Sequence, residues 1–123
     1  MTAYCLFVYG SLKRGFRHHC VLRGAPFERS ARTAKGFRLV LQGEYPALVS
    51  GGMGSVEGEL YLVTAELLAE LDHFEGCPDL YRREPILLED GSRALTYVVL
   101  PERAQALPAI ADGRWIEPDR GVS

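Results

Sequence analysis

A chain of 123 residues reads as one domain of ordinary size, with too little length for a second core. Hydrophobic residues at 47% and charged ones at 24% place it with soluble globular proteins that fold by burial, away from disordered, collagen-like and disulfide-dense chains. Fourteen Lys plus Arg against sixteen Asp plus Glu give a net charge of -2, so no global positive field draws the chain to phosphate backbones or anionic lipid, and neither nucleic acid nor a membrane is an expected partner.

The first predicted element is a strand over Tyr4 to Tyr9, an apolar and aromatic run far too short for a membrane span or a signal peptide. It runs straight into Gly10 and Ser11, with Gly15 close behind, which implies a tight turn. Further strands are predicted over roughly Arg32 to Leu41, Val56 to Val63, Tyr81 to Leu88 and Ala94 to Leu100, each carrying aromatic and β-branched residues between turn signals. Asp90-Gly91 marks a hairpin between the last two, because a primed turn needs positive φ and Gly supplies it without a Cβ clash. From about Pro108 to Ser123, Pro, Gly, Asp and Arg gather around the lone Trp115 and predict an irregular tail. The class is α+β with a mostly antiparallel sheet.

One helix stands out, from about Ala65 to Glu75. Thr64 can cap its free amides, Glu66 meets the positive end of its dipole, and Gly76 and Pro78 end it. At about 100° per residue, Leu67, Leu68, Leu71 and Phe74 share one arc that faces the core, with Glu66, Ala69, Glu70, Asp72 and His73 outside it. Glu75 projects at about 80° from Leu67, inside that arc, so a carboxylate is aimed along the apolar face. Burial and the helix carbonyls both disfavour its anion and raise its pKa, and a general acid or base working near neutral pH benefits from an upward shift from about 4.3 toward 6 or 7. The structural alternatives are an outward turn or a pair with Arg82 or Arg83.

Successive amides in the turn after Tyr9 can converge on one anion, a carboxylate or an oxyanion, although the run lacks the spacing of a nucleotide P-loop. Lys13, Arg14, Arg17, His18 and His19 read as a solvated loop, in which Phe16 could stack on a base. His18, His19 and Cys20 are adjacent and point apart, and Gly76 breaks the helix between His73 and Cys77, so no metal site is expected. Cys5, Cys20 and Cys77 are odd in number and lack a Cys-x-x-Cys pair, which fits a reducing, cytoplasmic setting. Ser11 has no Gly-x-Ser-x-Gly context and reads as a turn serine.

The run Tyr9-Gly10-Ser11-Leu12-Lys13-Arg14-Gly15, the strand Val56-Glu57-Gly58-Glu59-Leu60-Tyr61 and the run Asp72-His73-Phe74-Glu75-Gly76-Cys77-Pro78-Asp79-Leu80-Tyr81-Arg82-Arg83 together resemble the γ-glutamylcyclotransferase-like family, especially its γ-glutamylamine cyclotransferase and AIG2-like branch. The resemblance spans about Tyr4 to Leu100. It implies a single domain over residues 1–123, built as a small mixed barrel flanked by one main helix and short helices. It implies a cavity between the first loop and the end of that helix, with Glu75 as the catalytic group and Tyr9, Gly10, Ser11 and Leu12 holding substrate. Tyr81 sits where the family also has a tyrosine, to orient a polar group or to pack on its strand.

The implied reaction closes a γ-glutamyl amide on itself, giving 5-oxoproline and a free amine or amino acid without a cofactor and without consuming water. The expected partner is that small-molecule γ-glutamyl substrate: a free γ-glutamyl amine, a γ-glutamyl amino acid, or a γ-glutamyl group protecting a biosynthetic intermediate. The loop amides would hold either the α-carboxylate or the developing oxyanion. A module of the same fold that binds a small carboxylate without turnover is the alternative, and it has no need of a carboxylate on an apolar arc.

Overall fold

The computed structural model describes residues 3–110 and 113–116. Among them are strands β1 (Ala3–Val8), β2 (Phe27–Arg32), β3 (Phe37–Gln42), β4 (Tyr45–Ser50), β5 (Glu57–Thr64), β6 (Arg82–Leu87), β7 (Arg93–Val98) and β8 (Ala109–Ile110). The main helix α1 is Ala65–Phe74, and α2 is a single turn at Pro101–Ala104. The strands form one sheet in the order β2-β5-β1-β7-β4-β3-β8, with β6 on β7, curled into a half-barrel beside α1. Most pairings are antiparallel; β1 and β4 both run parallel to β7.

Alternation along the strands explains why the central ones read as unbroken apolar runs. Leu6 and Val8 of β1 join a core with Leu67, Leu68 and Leu71 of α1, whereas Phe7 and the following Tyr9 join a second core with Leu48, Leu60 and Val98. A strand buried on both faces has no polar face to show.

The expected strands appear within a residue or two of their predicted ends, except that the run from Arg32 to Leu41 becomes strand only from Phe37, as β3, with Arg32 closing β2 and residues 33–36 outside both. Sequence reasoning misses β2, which is mostly polar and lies at one end of the sheet order, and β4, whose second residue is Pro46. The Asp90-Gly91 hairpin forms with Gly91 at φ 89° and the Leu88 N–H donating to the Ser92 carbonyl. The tail is less irregular than expected. Residues 109–110 pair with β3, and Trp115 is buried at 7% exposure with its carbonyl accepting the Lys13 ammonium at 3.0 Å. Backbone pairing at an open strand edge supplies order that the Pro- and Gly-rich composition conceals. Residues 111–112 and 117–123 lie outside the described residues.

What positions the site is a fork in the sheet. β6 occupies one edge of β7 over its whole length. On the other edge β1 pairs at Leu95 and β4 takes over at Val98. The chain must leave the sheet where β1 meets the start of β4, and it does so at Gly10, where a Cβ would stand 2.6 Å from Pro46 Cγ.

Candidate active site

A cavity of about 290 Å³ opens at this fork, between the turn after β1, the start of β4 and the end of α1. It is at the lower end of the range for small-molecule sites, about 300 to 1,000 Å³. The residues that the resemblance assigns to the site, Tyr9, Gly10, Ser11, Leu12, Glu75 and Tyr81, all line it.

Glu75 owes its position to the way α1 begins and ends. The Thr64 hydroxyl accepts the Leu67 amide at 3.1 Å, setting the start. At the other end Gly76 adopts φ 71°, its amide donates to His73 O, and the Cys77 amide donates to Asp72 O, the pair of bonds that closes a Schellman cap. Glu75 is therefore the last residue before the reversal, with its side chain in the cavity. Among the described residues no cation and no hydrogen-bond donor reaches its carboxylate; Arg83 pairs with Asp72 and Arg82 with Glu84 instead. Burial pushes its pKa up to about 7.

Across the cavity, the backbone N–H groups of Gly10, Ser11 and Leu12 donate to no acceptor among the described residues, while the Gly10 and Ser11 carbonyls accept from Lys13 and His18. The turn is thus braced through its carbonyls and leaves its amides open to an anion. The two tyrosines are placed otherwise than as free hydroxyls. Tyr9 Oη donates to Tyr97 O at 2.6 Å and accepts from Leu48 N at 3.1 Å, and Tyr81 Oη donates to Pro46 O at 2.9 Å. Both rings form wall. Burial, and after it the neighbouring Glu75 carboxylate, raise the pKa of Tyr81, and burial does the same for Tyr9.

Phe74 departs from its predicted place in the core. It is 43% exposed and stands at the cavity mouth, because the helix ends before a neighbour covers it. His18, read in sequence as part of a solvated loop, lines the cavity with Nδ1 3.1 Å from Ser11 Oγ. Tyr45 and Tyr97 line it too, and nothing local marks any of these three, since their contacts come from other elements. Lys13 and Arg14 leave the cavity: Lys13 meets Trp115 and Arg14 meets Glu59.

The same architecture and sequence recur in known proteins. The family model described as "Gamma-glutamyl cyclotransferase, AIG2-like" matches residues 6–117. The chain is 44% identical over 97 residues to human gamma-glutamylaminecyclotransferase, covering 69% of this chain and 63% of that protein. It is 33% identical over 115 residues to a putative gamma-glutamylcyclotransferase of Vibrio cholerae, covering 93% and 96%. Among solved structures, a mouse AIG2-like protein superposes with a TM-score of 0.76 at 30% identity over 99% of this chain and all of that one. A uropathogenic Escherichia coli protein superposes with 0.79 at 25% identity over 93% of each. The chain thus spans about three-fifths of its human relative and nearly all of the bacterial one. Its sequence from the first strand to the tail, and the sheet and helix that frame the cavity, make it a member of the γ-glutamyl cyclotransferase, AIG2-like family.

Proposed function

We infer that the cavity cyclises a γ-glutamyl amide to 5-oxoproline and releases the amine. The observation that carries this reading is the Glu75 carboxyl: half-buried in the cavity, without a cation among the described residues, and shifted to about 7, where it exchanges protons near neutrality. An anion-binding module would be weakened by such a group.

Glu75 takes a proton from the substrate α-ammonium. The freed amine attacks the γ-carbonyl carbon, forming the ring C–N bond and a tetrahedral centre. Glu75 passes its proton to the departing nitrogen as the old C–N bond breaks; the remaining excess proton on the ring nitrogen goes to the released amine, which leaves as its ammonium, and Glu75 is again a carboxylate. Nucleophile and electrophile share one molecule, so folding the glutamyl chain in place supplies much of the acceleration, on the order of 7 to 11 kcal/mol for well-oriented intramolecular attack. The open amides of Gly10, Ser11 and Leu12 suit the anionic end of the substrate or the oxyanion.

The test is incubation with γ-glutamyl amines, γ-glutamyl amino acids and glutathione, scoring 5-oxoproline by mass. Release from at least one, undiminished by chelators, is expected. Silence across the set from folded protein rejects the reading.

A further inference from the structure

The head of a γ-glutamyl amide and its leaving amine need different surroundings, and the cavity provides two. Around Glu75 and the Gly10 to Leu12 turn it offers a carboxyl and open amides. At the opening it offers rings and apolar side chains. Phe74 and Leu80, at 43% and 42%, are the most exposed of the lining residues and mark the exit. The His18 ring touches two others, with centroids 5.5 Å from Tyr45 and 5.3 Å from Phe74, edge-on to the latter. His18 is also anchored to the turn, by Nδ1 on the Ser11 hydroxyl at 3.1 Å and by its backbone N–H on the Ser11 carbonyl at 2.9 Å.

Charge sorts the possible occupants. Among the described residues lining the cavity none is Lys or Arg. Arg17, which reaches the Tyr45 hydroxyl at 3.4 Å, also meets Glu44 at 3.7 Å and does not line the cavity. A carboxylate on the leaving group would lose water against ring surfaces, and the cation beside Tyr45, Arg17, already meets a carboxylate in Glu44. An uncharged aromatic group would stack on rings that His18 already holds in place, so little ordering is lost on binding.

We propose, resting on the cyclotransferase reading of the cavity, that His18, Tyr45 and Phe74 form a leaving-group subsite that selects an arylalkylamine over an amino acid or a ringless alkylamine. His18 and Phe74 are then specificity-determining residues.

The test compares kcat/KM of the 123-residue chain for γ-glutamylphenethylamide, γ-glutamylphenylalanine, γ-glutamylmethylamide and γ-glutamylputrescine. Relative to the phenethylamide, the second adds a carboxylate, the third lacks the ring and the fourth has a cationic amine in place of the ring. The phenethylamide is expected to exceed each by about tenfold or more, the usual discrimination of an apolar pocket. His18→Asn, which keeps a hydrogen-bonding group beside Ser11 but removes the ring, and Phe74→Ala should reduce that preference to about twofold, chiefly through KM. Equal turnover, or a preference for the phenylalanine or putrescine compound, overturns the subsite and leaves the cyclisation standing. Binding of glutaric acid mono(phenethylamide) and monomethylamide, which lack the α-amine and cannot cyclise, is measured in parallel. If no amide yields 5-oxoproline while the phenethyl compound binds about tenfold tighter, the reaction falls and the subsite stands; no turnover and no binding preference overturns both.

Discussion

The Tyr9 hydroxyl donates to the Tyr97 carbonyl at 2.6 Å, joining residues 88 apart in sequence. The same oxygen accepts the Leu48 amide, so one side chain bridges β4 and β7 at the fork where the cavity opens. Tyr9→Phe keeps the ring and leaves two buried backbone groups without that partner, an expected cost of about 1 to 3 kcal/mol. Chemical denaturation measures it. A loss below ~0.5 kcal/mol would show that the fork holds without the hydroxyl.

Glu75→Gln keeps shape but cannot exchange a proton, so turnover should fall by ~10² or more while ligand binding survives. Glu75→Asp should fail nearly as badly, since a base must lie within ~2.6 to 3.2 Å of its proton. A Gln variant that retains its rate per folded molecule ends the mechanism.

The same residue predicts a pH dependence of stability. Its folded pKa, about 7, lies above the ordinary 4.5, so between these values the folded state binds more protons than the unfolded one. This contribution is fully present below about pH 4.5 and is lost as pH rises through about 7, on the order of 3 kcal/mol in all. Denaturation of wild type and Glu75→Gln at pH 5 and pH 8 should therefore show the variant gaining relative stability at pH 8. A gap that does not change with pH contradicts it. The kcat/KM profile should carry an acid limb near 7, absent in the variant.

The turn is tested at two positions. Gly10→Ala drives a methyl into Pro46 and should cost about 1 to 3 kcal/mol as well as activity. Ser11→Pro, which removes the N–H, should raise KM more than Ser11→Ala, which removes only the hydroxyl held by His18. Equal and severe loss from both, in folded protein, would point to the Ser11 hydroxyl as the reacting group.

Lys13 fastens the chain just after the turn to the tail. Burial lowers its pKa, and its ammonium sits 4.6 Å from the Phe16 ring centre while donating to Trp115 O. Lys13→Met should release that carbonyl and shift the emission of the only tryptophan to the red, with a lower thermal midpoint. Unshifted emission would mean that packing alone seats Trp115.

Helix α1, its two ends and the direction of Glu75 were open to sequence reasoning because each depends on residues within a few positions of one another: Thr64 to Leu67, Asp72 to Cys77, and a period of 3.6 between them. The turn after Tyr9 was legible for the same reason, through its glycines. Strand β2 was not, since a polar run such as Phe27 to Arg32 becomes a strand only by pairing with β5, about thirty residues further on. Phe74 carries the helical spacing of a core residue, and whether that position is covered depends on what packs there. The same holds for His18, Tyr45, the hydroxyl of Tyr9 and the paired residues 109–110, whose partners lie 7 to 88 residues away. Local periodicity and capping determined which groups could do chemistry; the fork in the sheet, made by long-range pairing, decided which of them share a cavity.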